Sequence, residues 1–253
     1  MVTAIVLAGG QKKGLILGQE ELLINEAMIQ IGEKHMIEYV IQALKGSSYI
    51  KEIIVSGTVE KIQKIFYEVP NLVLVQSGET VIESFKNAIM ALNTPDCKLL
   101  IVTADLPLLT TEAVDYFLKT CFEREGDLFY PVVKKEINDQ RYPGVQRTYV
   151  NLKDGTFTGG NIFFLDPTII KRTLPVAEKL VKYRKKPIRL ASCIGWGVLI
   201  RYLLGTLSLE NAEEAVSKMI GIRGTVIVSP YPEVGIDVDK DSDLELARKL
   251  LCS

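Results

Sequence analysis

The sequence predicts a layered α/β fold in which helices cover both faces of a mostly parallel sheet. Four short apolar runs in the first half are rich in β-branched residues, as is typical of strands covered on both sides: residues 3–8, 52–57, 72–76 and 99–105. Helical patterns separate these runs, because apolar residues recur there on one helix face: Met36, Val40 and Leu44, then Ile82, Phe85 and Ile89. Repeated strand–helix–strand units imply right-handed crossovers between parallel strands.

The regular alternation weakens after about residue 125, where two further strands are predicted at residues 127–133 and 161–165. The polar, turn-rich segment between them is typical of a substrate-side loop or hairpin. A last strand is expected at residues 225–230, and a closing helix at residues 241–251.

The segment from about residue 166 to 221 is mostly helical in pattern, with breaks expected at Pro175 and Pro187. The chain shows neither an internal repeat nor a low-complexity linker. We therefore expect one domain over residues 1–253, with a predominantly helical insertion at about 166–221.

The composition excludes several classes of protein. Hydrophobic residues make up 47% and charged residues 24%, as in ordinary globular proteins, and a formal net charge of −1 argues against a broad nucleic-acid interface. The single histidine, His35, leaves no pair of histidines for a zinc hydrolase. The four cysteines are widely spaced, which favours reduced thiols in a cytoplasmic protein.

No secretory signal or membrane-spanning segment is predicted. The longest uncharged apolar stretch, residues 190–200, is shorter than the roughly 20 residues that cross a bilayer. Peripheral membrane contact stays open, because the stretch from Lys179 to Arg189 carries basic and uncharged residues without an acid. This stretch is typical either of a solvated basic face or of a surface for an anionic substrate or anionic lipid headgroups.

The first candidate site follows the first predicted strand, at the edge where open α/β sheets bind ligands. Four consecutive residues form this glycine loop: Leu7, Ala8, Gly9 and Gly10. Paired glycines let the backbone approach a phosphate, and successive N–H groups can form an anion-binding nest, although a plain strand-ending turn has the same pattern. Lys12 and Lys13 would add positive charge. The residues after Gly14 lack the Lys-Ser/Thr pair of a Walker A loop.

Carboxylates follow two other predicted strands. Asp105 is the last residue of the fourth apolar run, and Asp237 and Asp239 lie at an expected strand end near the C-terminus. Each alone is also typical of a turn or a solvated loop. One carboxylate from each segment, converging on one Mg²⁺ ion, could clamp the phosphates of a nucleoside triphosphate.

Six ordered segments resemble those of the MobA-like nucleotidyltransferases, a family with an NTP transferase domain. They are residues 5–10 (IVLAGG), 25–44, 76–92, 103–110 (TADLPLLT), 158–167 (TGGNIFFLDP) and 237–247 (DVDKDSDLELA). The resemblance implies a three-layer α/β/α, Rossmann-like nucleotide-diphospho-sugar transferase fold with a mixed, mostly parallel sheet. It also implies Mg²⁺-dependent transfer of a nucleoside monophosphate from an NTP to a phosphorylated small-molecule or lipid-linked acceptor, with release of pyrophosphate.

The resemblance also assigns roles to individual residues. The backbone of the glycine loop would contact the nucleotide, and three residues would lie around the base: Gln76, Gly78 and Ser84. Asp105 and Asp237 would hold the metal. The family's arginine in the first loop falls at the uncharged Gly14, and a family lysine falls at Glu26.

An anionic side chain at Glu26 would repel a triphosphate by about 1 kcal/mol through water and by several kcal/mol at low effective dielectric. Lys12 or Lys13 could replace the missing arginine and act as the catalytic cation. Two other functions therefore stay open. One is a catalytically impaired relative that binds a nucleotide or sugar nucleotide as a sensor or scaffold. The other is a glycosyltransferase, which is disfavoured because residues 104–106 do not match a DxD element.

Overall fold

The computed structural model describes residues 1–13, 23–93, 97–183 and 195–252; for residues 11–13, 23, 24 and 180–183 it describes the backbone. The strands of the described part are β1 (Val2–Ala8), β2 (Gln11–Lys13), β3 (Leu23–Asn25), β4 (Gln30–Ile31), β5 (Lys34–His35), β6 (Ile50–Gly57), β7 (Leu72–Gln76), β8 (Lys98–Thr103), β9 (Leu128–Lys134), β10 (Val150–Leu152), β11 (Gly155–Gly159), β12 (Ile162–Leu165) and β13 (Gly224–Ser229).

A mixed, mostly parallel sheet forms the centre of the fold, as the sequence predicts. Its strand order is β10-β11-β9-β12-β8-β1-β6-β7, and β13 pairs with β9. β1 is parallel to β6 and β8, and β6 is parallel to β7. Because β12 is antiparallel to both β8 and β9, the strands β8, β9 and β13 point the same way. The carboxyl ends of all these parallel strands therefore meet at one edge of the sheet.

Helices connect the strands and cover the sheet. They are α1 (Met36–Gly46), α2 (Val59–Ile62), α3 (Val81–Met90), α4 (Thr111–Phe122), α5 (Lys135–Arg141), α6 (Ile170–Tyr183), α7 (Trp196–Leu203), α8 (Leu209–Ile220) and α9 (Asp241–Leu251). Short 3₁₀ helices lie at Glu26–Met28, Pro167–Ile169 and Pro232–Gly235.

The central strand β1 is buried on both faces, which explains its continuous apolar sequence. Val6 belongs to the core cluster on the face covered by α1 and α4, whereas Ile5 belongs to the cluster on the face covered by α3. Both side chains are fully buried. The apolar stripe predicted from Met36 to Leu44 is the buried face of α1. The predicted layers of the first half are thus confirmed.

The second half differs from the expectation in two places. Pro175 does not break the chain but lies inside α6, where its ring removes one backbone donor in the second turn without ending the helix. The turn-rich segment after β9 contains α5 as well as the expected hairpin, formed by β10 and β11. Helices α6, α7 and α8 lie within the segment predicted to be a helical insertion.

Within the described ranges, the chain has no helix with the length and apolarity needed to cross a membrane. Most of the basic stretch from Lys179 to Arg189, together with Pro187, lies outside the residues whose side chains the structure describes.

Candidate nucleotide and metal site

Hydrogen bonds to the carbonyl oxygens of its first two residues, Leu7 and Ala8, fix the glycine loop at the end of β1. The carbonyl oxygen of Leu7 accepts a hydrogen bond from the Ala104 backbone N–H at 3.1 Å. The carbonyl oxygen of Ala8 accepts one from Asn25 Nδ2, also at 3.1 Å. The loop is therefore tied to the ends of both β8 and β3.

Both glycines of the loop lie too close to neighbouring side chains to carry a Cβ atom. A methyl group on Gly9 would lie 2.8 Å from the Cβ of Ser77, and one on Gly10 would lie 2.6 Å from Glu26 Oε2. The Ser77 backbone N–H donates to Gly57, which fixes its position. The glycine pair thus lets the loop pass between the β7–α3 connection and the 3₁₀ helix at Glu26–Met28.

We expect Gly9→Ala to displace this loop, because Ser77 Cβ occupies the space of the new methyl group. The variant should unfold at a lower temperature, as a thermal shift assay can measure. Ser77→Gly removes the opposing Cβ, so the double variant should recover much of the loss. A double variant that is as impaired as Gly9→Ala alone would contradict this contact as the cause.

The three residues expected around the base lie next to this loop. Gln76 ends β7, Gly78 lies in the connection that follows, and Ser84 lies in the first turn of α3. The Gly78 N–H donates to Ser84 Oγ at 3.1 Å, and Ser84 Oγ donates to the Thr80 carbonyl oxygen at 2.9 Å. Ser84 is buried, so its hydroxyl shapes the connection between β7 and α3. Gln76 is exposed; its carbonyl oxygen accepts a hydrogen bond from Asn87 Nδ2 at 2.9 Å.

Three carboxylates converge at the carboxyl edge of the sheet. One oxygen from each of Asp105, Asp237 and Asp239 can be chosen so that all three lie within 4.8 Å of one another. The structure thus brings together the two residues that the sequence proposes as metal ligands, and it adds Asp239 to them. We call these three side chains the carboxylate cluster.

Two buried oxygens at the end of β8 lack hydrogen-bond partners among the described residues. They are Asp105 Oδ1 and Thr103 Oγ1. The pKa of Asp105 is raised to about 6, chiefly by burial; the neighbouring Thr103 lowers it, and the carboxylates of Asp237 and Glu26 also raise it. A buried hydrogen-bond acceptor without a partner destabilises the folded state. A divalent cation that prefers oxygen ligands would give these oxygens a partner, so the residues present fit such an ion.

Asp237 lies in an irregular segment and not at a strand end, which corrects the sequence-based expectation. β13 ends at Ser229, where prolines at 230 and 232 cannot donate to a strand ladder, and the 3₁₀ helix Pro232–Gly235 follows. The Val238 N–H donates to the Asp105 carbonyl oxygen at 3.0 Å. This bond places the segment directly beside the end of β8.

Two glycines allow this close approach: Gly160, between β11 and β12, and Gly235, at the end of the 3₁₀ helix. A methyl group on Gly160 would lie 3.0 Å from the Val234 carbonyl oxygen, and one on Gly235 would lie 2.9 Å from the Gly159 carbonyl oxygen. The Asn161 N–H donates to the Val234 oxygen at 2.8 Å. Gly160 and Gly235 therefore let the TGGN segment pack against the chain that leads to Asp237.

Sequence reasoning missed Arg147, which contacts the cluster directly. Its Nη1 donates to Asp237 Oδ1, and the two side chains are only 14% and 15% exposed. Arg147 Nε is buried without a hydrogen-bond partner in the described part of the chain. The segment around this arginine was predicted to face the substrate, but no motif singled out the residue.

The remaining candidates lie near the glycine loop. The backbone of Lys12 and Lys13 forms β2, which pairs antiparallel with β3, and Gly14 lies outside the described residues. The Glu26 N–H donates to the Gly10 carbonyl oxygen at 3.3 Å. The structure therefore places the carboxylate of Glu26 against the loop that is expected to approach phosphate.

Comparisons with known proteins agree with this architecture. The sequence model of the MobA-like NTP transferase domain matches residues 4–190. A hypothetical transferase from Thermus thermophilus is 34% identical over 96% of this chain and 98% of its own, with a TM-score of 0.79.

More distant solved structures share the fold. A 4-diphosphocytidyl-2C-methyl-D-erythritol synthase from Anaerococcus prevotii covers the whole chain and 98% of its own at 14% identity, with a TM-score of 0.62. A 2-C-methyl-D-erythritol 4-phosphate cytidylyltransferase from Francisella tularensis is 13% identical over 98% of both chains, with the same TM-score. No curated protein sequence matches significantly.

Proposed function

Because the chain belongs to the MobA-like NTP transferase domain family, we propose that it transfers a nucleoside monophosphate from an NTP to a phosphorylated acceptor in a Mg²⁺-dependent reaction that releases pyrophosphate. The observation that carries this proposal is the convergence of Asp105, Asp237 and Asp239 within 4.8 Å, at the same sheet edge as the glycine loop. In this proposal the carboxylates are the ligands of the cation, and the glycine loop lets the backbone lie close to the phosphate chain.

Each part of the site has a distinct task in this proposal. The backbone of Gly9 and Gly10 lies against the triphosphate, and the connection shaped by Ser84 borders the base. Asp105 and Asp237 would hold a Mg²⁺ ion, which would supply positive charge to the phosphates. Lys12 and Lys13 belong to β2, the strand that follows the loop, and one of them would take the part of the arginine that Gly14 replaces. Catalysis then consists mainly of orienting the two substrates and stabilising charge.

The test is pyrophosphate release from each of the four NTPs, measured with Mg²⁺ and a panel of sugar phosphates and polyol phosphates. We expect one NTP to be consumed only when both Mg²⁺ and a suitable acceptor are present. Sugar-nucleotide consumption without pyrophosphate would instead indicate a glycosyltransferase.

A second candidate function is supported by the position of Glu26. Its carboxylate lies against Gly10, where the resemblance places a neutralising lysine, and a negative charge there opposes triphosphate binding. A relative that senses a nucleotide or sugar nucleotide without turning it over fits this feature. Nucleotide binding with no pyrophosphate release across the whole panel would favour the sensor over the enzyme.

A further inference from the structure

We propose that Arg147 binds the phosphate group of the acceptor and thereby selects phosphorylated acceptors; this inference rests on the proposed nucleotidyl transfer. A guanidinium group presents several N–H donors in a planar fork that matches the oxygens of a phosphate. One donor of Arg147 is used by Asp237, while its buried Nε has no partner among the described residues. Arg147 therefore has N–H groups beside the carboxylate cluster that Asp237 does not use.

The sheet order places Arg147 on the opposite side of the cluster from the glycine loop. Asp105 follows β8, whose neighbours are β1 on one side and β12 on the other. The glycine loop follows β1. Arg147 is bound to Asp237 and lies near Tyr130 of β9, the strand beyond β12. An acceptor phosphate on the β9 side would therefore face a nucleotide on the β1 side across the carboxylates.

The segment that carries Arg147 is held at both ends. The Tyr142 hydroxyl donates to Glu233 Oε1 at 2.6 Å. Glu233 belongs to the 3₁₀ helix that precedes Asp237. Asn138 Nδ2 donates to the Tyr149 hydroxyl at 2.9 Å. Arg147 therefore occupies a defined position, which reduces the entropy that it loses when it binds a ligand.

The charge of the site also favours this assignment. The cluster and Glu26 together place four carboxylates around the expected reaction centre. A phosphorylated acceptor is itself an anion, so it needs a local cation in addition to Mg²⁺. Arg147 supplies a permanent positive charge in direct contact with the cluster.

The test compares inorganic phosphate binding, measured by calorimetry at one fixed Mg²⁺ concentration without nucleotide, among the wild type, Arg147→Gln, Arg147→Lys and Arg223→Gln. Arg223 is the matched control, because it also pairs with a carboxylate, Glu125, but lies before β13 at the opposite edge of the sheet. We expect Arg147→Gln to weaken phosphate binding about tenfold to a hundredfold, as is typical of losing charged hydrogen bonds. Arg147→Lys should fall between it and the wild type.

Phosphate binding does not depend on turnover, so its outcome is separate from that of the proposed function. A wild type that does not bind phosphate, or an Arg147→Gln variant that binds it as Arg223→Gln does, would overturn the inference. Where the enzyme turns over, the KM for the acceptor should rise in Arg147→Gln while the KM for the NTP stays unchanged. Melting temperatures of all four proteins show whether any loss comes from unfolding.

Discussion

Asp105→Ala is expected to slow Mg²⁺-dependent pyrophosphate release about 10³-fold or more, which corresponds to a rise of about 4 kcal/mol in the activation barrier. The substitution removes the carboxylate at the end of β8 and leaves Asp237 and Asp239 as the remaining members of the cluster. It does not remove a hydrogen bond from Asp105 Oδ1, which has no partner in the described part of the chain. The folded state should therefore survive while activity is lost.

Steady-state release of pyrophosphate and circular dichroism measure these two effects on the same sample. Asp139→Asn is the control, since Asp139 pairs with Lys135 on an exposed face of α5 and surface pairs contribute little to stability. This variant should behave as the wild type in both measurements. Full Mg²⁺-dependent turnover in Asp105→Ala would remove Asp105 from the metal site.

The second large effect is a pH dependence of stability in the metal-free protein. The folded-state pKa of Asp105 is about 6, above its ordinary value of 3.8, chiefly because burial disfavours the charged form. The folded state therefore binds a proton more tightly than the unfolded state. As the pH rises from about 4 to about 6, this group should lower the free energy of unfolding by about 2 kcal/mol.

Asp105→Asn keeps the size of the side chain but cannot titrate, so the free energy of unfolding of this variant should not show this decrease. Urea denaturation in the presence of a chelator, at pH values between 4 and 7, gives the free energy of unfolding of both proteins. The difference between them should grow by about 2 kcal/mol across this range in favour of the variant. Parallel curves for the wild type and Asp105→Asn would contradict a raised pKa at this position.

Much of the fold could be predicted because the first half of the chain carries unambiguous local signals. β1 is flanked by parallel strands and covered on both faces, so its residues are continuously apolar. The single buried face of α1 produces an equally clear helical stripe. Local periodicity cannot, however, show that α6 continues through Pro175, since this depends on the rest of its packing.

The candidate site could be predicted only in part, for a related reason. The glycine loop and Asp105 each follow a recognisable strand, so the rule that ligands bind at strand ends identifies both. The ion pair between Arg147 and Asp237 joins residues 90 positions apart, and both lie in irregular segments. The roles of Gly159 and Gly160 likewise appear only once the chain around Val234 packs against them.

The most direct test of the account is the position of a divalent ion in crystals grown with Mn²⁺, which replaces Mg²⁺ at oxygen-rich sites and gives an anomalous signal. We predict one dominant anomalous peak that is bounded by the carboxylates of Asp105 and Asp237. Crystals of Asp105→Ala grown in the same way should lack it. A wild-type peak elsewhere in the protein, with these two carboxylates bare, would contradict the account.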